Sequence, residues 1–250
     1  MLRPKNNKTK PRIKHRPFLK WAGGKFRLTD DLNRVFPKRK QCLIEPFVGA
    51  GAVFLNSHFE RYILADINPD LINLFNIVKE NVDIYIEACK PIFFAENANT
   101  ADYYYAQRDA FNQSSEPFER SVLFLYLNRF GFNGLCRYNS KNEFNVPFGA
   151  YKTHYFPEDE LRYFAHKAQS AVFLCADFQQ TFELADKHSV IYCDPPYAPL
   201  PQDTNFTGYA GNAFGLEHQK NLAECAKKAQ KEKQISVVIS NHDTKFTREI

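Results

Sequence analysis

Five short apolar runs, separated by stretches with helical periodicity, limit the folds that this chain can adopt. The runs are CLIEPF at residues 42–47, RYILAD at 61–66, AVFLC at 171–175, SVIYCD at 189–194 and ISVVIS at 235–240. Each is nearly continuous in apolar character, which is typical of strands buried on both faces of a parallel sheet. Because helical patterns lie between them, the sequence predicts an α/β fold with a doubly wound, mostly parallel sheet.

One region, residues 70–157, interrupts this alternation. ADYYYAQRDAFNQ and PFERSVLFLYLNRF are helical patterns, and residues 131–156 form an irregular stretch rich in Asn, Gly and aromatic residues. Long insertions with a composition of their own usually carry specificity. We therefore expect a body made of residues 18–69 and 158–250, and an inserted lobe that is helical first and then a loop or hairpin.

Basic charge is concentrated at the N-terminus. Residues 1–17 contain seven lysines and arginines and no acidic residue, so a chain of net charge +5 leaves −2 for the remainder. The near-neutral body does not by itself indicate a nucleic-acid binder. Residues 1–17 are predicted to be a disordered basic arm, which is either a solubilising terminus or a segment that contacts phosphates.

The cysteine spacing argues against two kinds of site. No two of the six cysteines have the C-x-x-C spacing, so neither a zinc site nor a disulfide framework is expected. Buried, reduced thiols in a cytoplasmic protein fit this pattern. The sequence shows no targeting segment, and its longest apolar run, VLFLYL, is too short to span a bilayer.

A glycine-rich turn follows the first predicted strand. In EPFVGAGAVF, Gly49 and Gly51 lie between a strand and a helix, where doubly wound sheets bind ligands. Phe54 replaces the third glycine of a dinucleotide fingerprint, which disfavours NAD. Asp66 ends the next strand and can accept hydrogen bonds from ribose hydroxyls. The pattern suits a nucleoside without a diphosphate, although a purely structural turn is an equal alternative.

The run FLKWAGGK places Lys20, Trp21 and Lys25 around a glycine pair. Trp21, the only tryptophan of the chain, is either a core anchor or a ring that stacks on a heterocycle, with the lysines nearby to bind anions.

The run CDPPY closes the fourth predicted strand with Asp194. A residue before proline is held in an extended conformation, so Pro195 and Pro196 limit the motion of Asp194. The carboxylate and a backbone carbonyl then form two fixed acceptors, which suit an amino group on a heteroaromatic ring, and Tyr197 can stack on that ring. This arrangement predicts catalysis by positioning and preorganised electrostatics. The alternative is a rigid turn after a strand.

These motifs resemble those of the Dam-type DNA adenine-N6 methyltransferases. FLKWAGGK, EPFVGAG, LADIN and DPPY carry the resemblance, and LYLNR, NGLCRYN, FNVPFG and SNHDT extend it from residue 18 to the end. The resemblance implies a class I methyltransferase fold with residues 70–157 as the target-recognition domain. It also implies transfer of a methyl group from S-adenosylmethionine to adenine N6 in GATC, with S-adenosylhomocysteine as product and without a metal. The partner would be duplex DNA, and the protein a monomer in the bacterial cytoplasm.

The site residues follow from the resemblance together with the patterns above. The motif assigned to catalysis comprises Asp194, Pro195, Pro196 and Tyr197. The residues expected to line the cofactor site are Trp21, Ala22, Lys25, Pro46, Phe47, Gly49, Gly51, Asp66 and Asp194. The positions that match DNA contacts are Lys20, Asn133, Leu135, Arg137, Pro147 and Tyr151, to which Phe132 adds a ring able to intercalate.

The target of such an enzyme constrains the recognition lobe. Adenine N6 is out of reach while the base is stacked, so the base must be flipped out at a cost of a few kcal/mol. Arg137 can read guanine through O6 and N7, a contact worth about 1–3 kcal/mol of discrimination, and Leu135 and Pro147 can touch the thymine methyl. Without the resemblance, a phosphate contact or a surface ion pair is the simpler interpretation of Arg137.

The match also departs from the family. Phe132 and Ala150 stand where enterobacterial relatives typically carry tyrosine and arginine, so one hydroxyl contact and one phosphate or flanking-base contact are expected to be lost. The family normally continues beyond SNHDTKFTREI, so a sheet without its last strands is expected to expose an edge.

Two alternative functions are also compatible with these motifs. The first is a truncated form that binds DNA or cofactor without turnover. The second is an amino-methyltransferase that acts on RNA adenine. The related cytosine and glutamine modifiers usually carry S-P-P-Y and N-P-P-Y, so Asp194 argues against both.

Overall fold

The computed structural model describes residues 13–198 and 214–250. Its centre is a five-stranded parallel sheet with the order β3-β2-β1-β4-β5. The strands are β1 (Cys42–Glu45), β2 (Arg61–Asp66), β3 (Ala171–Cys175), β4 (Ser189–Cys193) and β5 (Ser236–Ile239). The predicted α/β fold with a parallel sheet is therefore confirmed. β1 stops before Pro46, which has no N–H to donate to a neighbouring strand.

Helices cover both faces of the sheet. They are α1 (Thr29–Val35), α2 (Ala52–Asn56), α3 (Pro69–Glu80), α4 (Val82–Phe93), α5 (Ala101–Gln113), α6 (Pro117–Phe130), α7 (Glu158–Ala168), α8 (Phe178–Glu183), α9 (Leu216–Lys233) and α10 (Lys245–Glu249). Two short 3-10 turns lie at Phe26–Leu28 and Phe132–Gly134. Several helix starts are capped as the sequence favours: the Asn68 side chain accepts hydrogen bonds from the N–H groups of Asp70 and Leu71.

The central strands divide their side chains between two apolar clusters. Leu43 of β1 and Val190 of β4 belong to the larger cluster, whereas Ile44 and Ile191 belong to the cluster packed under α8 and α9. This division follows from the period of two along a strand. All residues of β1 and β4 are buried, which explains their nearly continuous apolar sequence, whereas β2, β3 and β5 are partly exposed and not buried on both faces as predicted.

The order of the strands creates a crevice at one edge of the sheet. From the central β1, the chain first adds β2 and β3 on one side and later adds β4 and β5 on the other. The connections that leave β1 and β4 therefore diverge at the carboxyl ends of these strands. Such a switch point is where doubly wound sheets bind ligands.

The inserted lobe consists of α4, α5, α6 and the segment at residues 131–157. Two isolated antiparallel bridges, Gly131 with Phe148 and Tyr138 with Phe144, fold this segment back on itself as a loose hairpin. The apolar cluster of the sheet continues without a break into the lobe, where it includes Phe124 and Tyr126 of α6. The lobe therefore shares its core with the body, and the division of the chain at residues 70 and 157 stays a prediction.

Residues 13–17 pack against the body. The His15 N–H donates to Asn56 Oδ1 (2.9 Å), the Asn56 amide donates to the His15 carbonyl (2.9 Å), and the His15 ring stacks on Tyr163. Lys14 pairs with Asp30 at 2.8 Å. These contacts hold the end of the predicted arm in place. Residues 1–12 lie outside the described residues, and their disorder stays a prediction.

Three further predictions from the sequence concern the state of the cysteines, a metal site and membrane-spanning helices. All six cysteines are free, and Cys175 is exposed rather than buried. Within residues 13–198 and 214–250, no three His, Cys, Asp or Glu side chains are grouped in a way that could hold a metal ion. None of the helices in these ranges combines the length and apolar character that crossing a membrane requires.

Candidate active site

Asp194 lies directly after β4, at the crevice. Its side chain is 20% exposed, and Lys25 Nζ lies 2.8 Å from its Oδ1. This ion pair holds the carboxylate, whose Oδ1 is itself buried. Burial raises the pKa of Asp194, and the contacts with Lys25 and Tyr197 offset that rise only in part. The carboxylate is thus held by an ion pair, and its oxygens have further lone pairs with which to accept a hydrogen bond.

A chain of side-chain amides supports the loop after Asp194. Gln219 of α9, which is buried, donates to the Pro196 carbonyl (2.7 Å) and accepts from Asn241 Nδ2 (2.8 Å). Asn241 Oδ1 in turn accepts from the Ala198 N–H (3.0 Å). Sequence reasoning missed Gln219 and treated Asn241 only as part of a resemblance. The two amides fix the backbone of the Pro-Pro-Tyr segment.

Lys25 connects the loop to the FLKWAGGK segment. Its ammonium donates to the Gly23 carbonyl (2.6 Å) and lies 4.8 Å from the centre of the Tyr197 ring. Burial lowers the pKa of Lys25, but the contacts with Asp194 and Tyr197 outweigh this effect and the net pKa is raised. Lys25 is therefore charged at neutral pH.

The glycine turn contacts both neighbouring segments. The Gly49 N–H donates to Asp66 Oδ2 (3.2 Å), and Gly49 adopts φ +48°. A Cβ at Gly49 would lie 2.9 Å from Trp21 Nε1, so a larger residue would collide with the indole ring. Burial raises the pKa of Asp66, and hydrogen bonds from Asn68 and Gly49 N–H groups oppose that rise. The structure thus brings Trp21, Gly49 and Asp66 together.

The other predicted cofactor residues line the same edge. Gly51 begins α2 with φ +74°, and Ala22 is exposed in the turn between Trp21 and Lys25. Pro46 is buried at the end of β1, and the half-buried Phe47 stacks on Phe178 with 5.8 Å between ring centres. Their position at the crevice agrees with the prediction, whereas their contact with a cofactor stays a prediction.

Glu45 is a buried acid at this edge that the sequence analysis did not select. It ends β1, is 2% exposed, and its Oε1 has no hydrogen-bond partner among the described residues. Burial, and next the nearby charge of Asp194, raise the pKa of Glu45 well above its ordinary value. Glu45 therefore holds a proton more readily than an ordinary glutamate does. The sequence carried one sign that Glu45 lies at the site: it precedes Pro46 at the end of a predicted strand.

A second group of predicted residues forms a continuous surface on the lobe. Lys20 Nζ lies 3.8 Å from the centre of the Tyr151 ring, and the Asn133 N–H donates to Tyr151 Oη (2.7 Å). The Phe132 N–H donates to the Pro147 carbonyl (2.8 Å), and the Phe132 side chain is 47% exposed. The structure therefore gathers Lys20, Phe132, Asn133, Pro147 and Tyr151 at one place.

Arg137 lies further along this surface and is exposed. Its Nε donates to Asn145 Oδ1 (2.7 Å), and its terminal NH2 donates to the Asn145 carbonyl (3.1 Å). These bonds hold the guanidinium beside the second strand of the loose hairpin. Leu135, two residues earlier, is half-buried. The exposed face of this segment thus presents one cation and one apolar side chain.

A parallel α/β sheet with a glycine turn and an Asp-Pro-Pro-Tyr corner at its switch point is the architecture of a class I methyltransferase. Residues 21–250 match the family model described as D12 class N6 adenine-specific DNA methyltransferase, and the chain belongs to this family.

Relatives along the whole chain agree with this assignment. A DNA adenine methylase of Haemophilus influenzae is 82% identical over 250 residues, which cover 100% of this chain and 87% of that protein. A DNA adenine methylase of Escherichia coli K12 is 59% identical over 236 residues (94% of this chain, 84% of that protein). One from Vibrio cholerae is 58% identical over 237 residues (95% and 85%).

Proposed function

We propose that this chain transfers a methyl group from S-adenosylmethionine to N6 of adenine in GATC sequences of duplex DNA. The placement of Asp194 carries the proposal. Its carboxylate lies at the carboxyl edge of β4, the strand paired with β1 and its glycine turn, where Lys25 forms an ion pair with its buried Oδ1. Each carboxylate oxygen has more than one lone pair, so this held acceptor can also take a hydrogen bond from a substrate amine that brings its own protons.

The adenine amine must be activated, because its lone pair is delocalised into the ring. Two fixed acceptors can hold its protons and draw the nitrogen toward tetrahedral geometry. We assign these roles to the Asp194 carboxylate and the Pro195 carbonyl, since the Pro196 carbonyl already accepts from Gln219. Preorganised acceptors of this kind need no rearrangement during the reaction.

The proton balance also involves Asp194. The bond between N6 and the methyl carbon forms while the bond from sulfur to that carbon breaks, and N6 then loses one proton. Burial raises the pKa of Asp194, so its carboxylate accepts this proton more readily than an ordinary aspartate does and passes it to solvent.

The crevice fits S-adenosylmethionine, which supplies an electrophilic methyl group when bound. Gly49 packs directly on Trp21, where any Cβ would collide with the indole ring, and this close approach keeps the turn beside Asp66. We assign Asp66 to the ribose hydroxyls, since each of its oxygens keeps one lone pair after the bonds from Gly49 and Asn68. Lys25 suits the carboxylate of the methionine part.

The lobe surface supports duplex DNA as the substrate. A stacked adenine has to be extruded before its N6 can reach Asp194, and we assign Tyr197 to stack on the extruded ring. The exposed Phe132 is suited to fill the gap that the base leaves. We assign Arg137 to a guanine edge, Leu135 and Pro147 to thymine methyl groups, and Lys20, Asn133 and Tyr151 to further DNA contacts.

Transfer of a labelled methyl group from S-adenosylmethionine tests the proposal. We expect incorporation into a duplex containing GATC and none into a duplex of the same composition with that site scrambled. Equal incorporation into both would contradict the assigned sequence, and incorporation into an RNA duplex would contradict the assigned substrate. Binding of either ligand without incorporation would mean that the chain lacks turnover.

A further inference from the structure

The segment Gly134–Tyr138 has two faces. Gly134, Cys136 and Tyr138 contact the body, whereas the exposed Arg137 and the half-buried Leu135, which also packs on the apolar core, belong to the proposed DNA-reading surface. Side chains alternate in this way along an extended backbone. The residues proposed to read DNA therefore alternate along this segment with residues that contact the body, on the side where the cofactor is proposed to bind.

One support of this segment is the backbone of Lys20, next to Trp21. Gly134 packs so closely on Lys20 that a Cβ would overlap the Lys20 side chain. The buried Asn128 clamps both partners: its Oδ1 accepts from the Lys20 N–H (2.8 Å), and its Nδ2 donates to the carbonyls of Lys20 (2.8 Å) and Gly134 (3.3 Å). The start of the segment is thus fixed to the segment that carries Trp21.

The other support lies just after β2, next to Asp66. Asn68 donates from Nδ2 to Cys136 Sγ (3.2 Å), and its own N–H donates to Asp66 Oδ1 (3.0 Å). Tyr138 Oη donates to Asp70 Oδ2 (2.7 Å). The Asp70 carboxylate is itself held by a two-point contact with Arg120, at 2.9 and 3.0 Å. The residues on either side of Arg137 are therefore bonded to a rigid anchor.

We propose that Cys136 and Tyr138 are specificity-determining positioning residues, which hold Arg137 at the guanine edge through their bonds to Asn68 and Asp70. The proposal rests on the proposed reading of GATC. A two-point contact between arginine and guanine tolerates little displacement, because both N–H groups must meet O6 and N7 together. Loss of either flanking bond shifts the backbone of Arg137. The enzyme then discriminates less between base pairs, while its affinity for DNA falls by a smaller factor.

Two substitutions test the proposal without removing a reading residue. Tyr138→Phe deletes only the hydroxyl, and Cys136→Ala deletes the acceptor of Asn68, whereas Cys136→Ser retains an acceptor. The measured quantity is kcat/KM for GATC divided by kcat/KM for duplexes with one base pair replaced, at each position in turn. We expect Tyr138→Phe and Cys136→Ala to lower this ratio at least about fivefold at one base pair, and Cys136→Ser to restore it.

Tyr85→Phe is the matched control, because the Tyr85 hydroxyl also donates a hydrogen bond within the protein, to the Ser121 carbonyl elsewhere in the lobe. It should leave the ratio at every position unchanged, even where it lowers thermal stability. If Tyr138→Phe lowered kcat/KM equally on all duplexes, as a general loss of stability would, the positioning role would be wrong. If the wild-type chain itself did not distinguish GATC, the proposed function would fail instead.

Discussion

The Lys25 ammonium and the Asp194 carboxylate lie 2.8 Å apart, and each changes the ionisation of the other. Burial raises the pKa of Asp194, and Lys25 opposes that rise. The proposed role of Asp194 needs its ionised form. Lys25 therefore keeps the carboxylate available as pH falls, in addition to its proposed contact with the cofactor.

The first prediction concerns the pH dependence of turnover. Lys25→Met removes the contact that lowers the pKa of Asp194, so this pKa rises further and the acidic limb of kcat against pH moves to higher pH. The profile is measured with saturating cofactor and DNA. Lys90→Met, which breaks an exposed ion pair with Glu87, is the control and should leave the limb in place. If the acidic limb of kcat against pH did not move in Lys25→Met, Asp194 would not be the group that controls this limb.

The second prediction concerns Asp194 itself. Asp194→Ala should lower kcat by about 100-fold to 1,000-fold, the usual cost of losing one preorganised polar group. Binding of S-adenosylhomocysteine, measured by calorimetry, should weaken only moderately, since Trp21, Gly49 and Asp66 are unchanged. Near-normal turnover in this variant would end the proposed role of the carboxylate.

The third prediction concerns the amides that support the Pro-Pro-Tyr segment. Gln219→Leu frees the Pro196 carbonyl and leaves Asn241 without its acceptor. Small displacements of reacting groups can cost about 100-fold in rate, so we expect kcat to fall by about 10-fold to 100-fold with little change in KM for DNA.

Gln169→Leu provides the control for this effect. Gln169 also donates to backbone carbonyls, those of Lys79 and Ala165, but lies away from the crevice. Equal losses of kcat in the two variants would indicate a general effect of destabilisation. A selective loss in Gln219→Leu, with unchanged thermal stability relative to Gln169→Leu, would support positioning.

The fourth prediction concerns Lys20. Burial, assisted by the neighbouring charge of Arg129, lowers the pKa of Lys20 to about 8. The ammonium is thus charged below that pH and neutral above it. Because DNA binds the charged form, the dissociation constant should rise above about pH 8, by at most about tenfold per pH unit for one coupled proton. Lys20→Met should flatten this dependence, and the exposed Lys152→Met should retain it.

The fifth prediction concerns Arg137. Arg137→Ala should relax discrimination at one base pair of the site, at a cost of about 1–3 kcal/mol there. The measurement is kcat/KM on a set of duplexes with single base-pair changes. A uniform loss across all duplexes, together with a smaller dependence of affinity on salt, would instead mean that Arg137 only contacts phosphate.

The sheet could be predicted from the sequence because its signal is local. Strands buried on both faces need continuous apolar residues, as β1 and β4 show, and the partly exposed β2 and β3 also have the predicted bounds. The helices at Ala101–Gln113 and Pro117–Phe130 also follow their predicted patterns. Turns at the carboxyl ends of parallel strands lie at one edge of the sheet. The placement of Gly49, Asp66 and Asp194 at the same edge could therefore be predicted as well.

The polar network around the site could not be predicted, because its partners are far apart in the chain. Asn128 bonds to Lys20 across 108 residues, and Asn68 bonds to Cys136 across 68. No periodicity encodes such pairs, which depend on how the lobe packs against the sheet. The raised pKa of Glu45 was likewise hidden, since only the packed structure removes its solvent.

The two faces of Gly134–Tyr138 constrain the length of this segment as strongly as its composition. One inserted or deleted residue would reverse the alternation, so that a charged side chain would point at the protein interior and a packing side chain at the solvent. Changes of target sequence within this family should therefore arise here by exchange of side chains at fixed spacing, and natural variation in loop length should accumulate elsewhere.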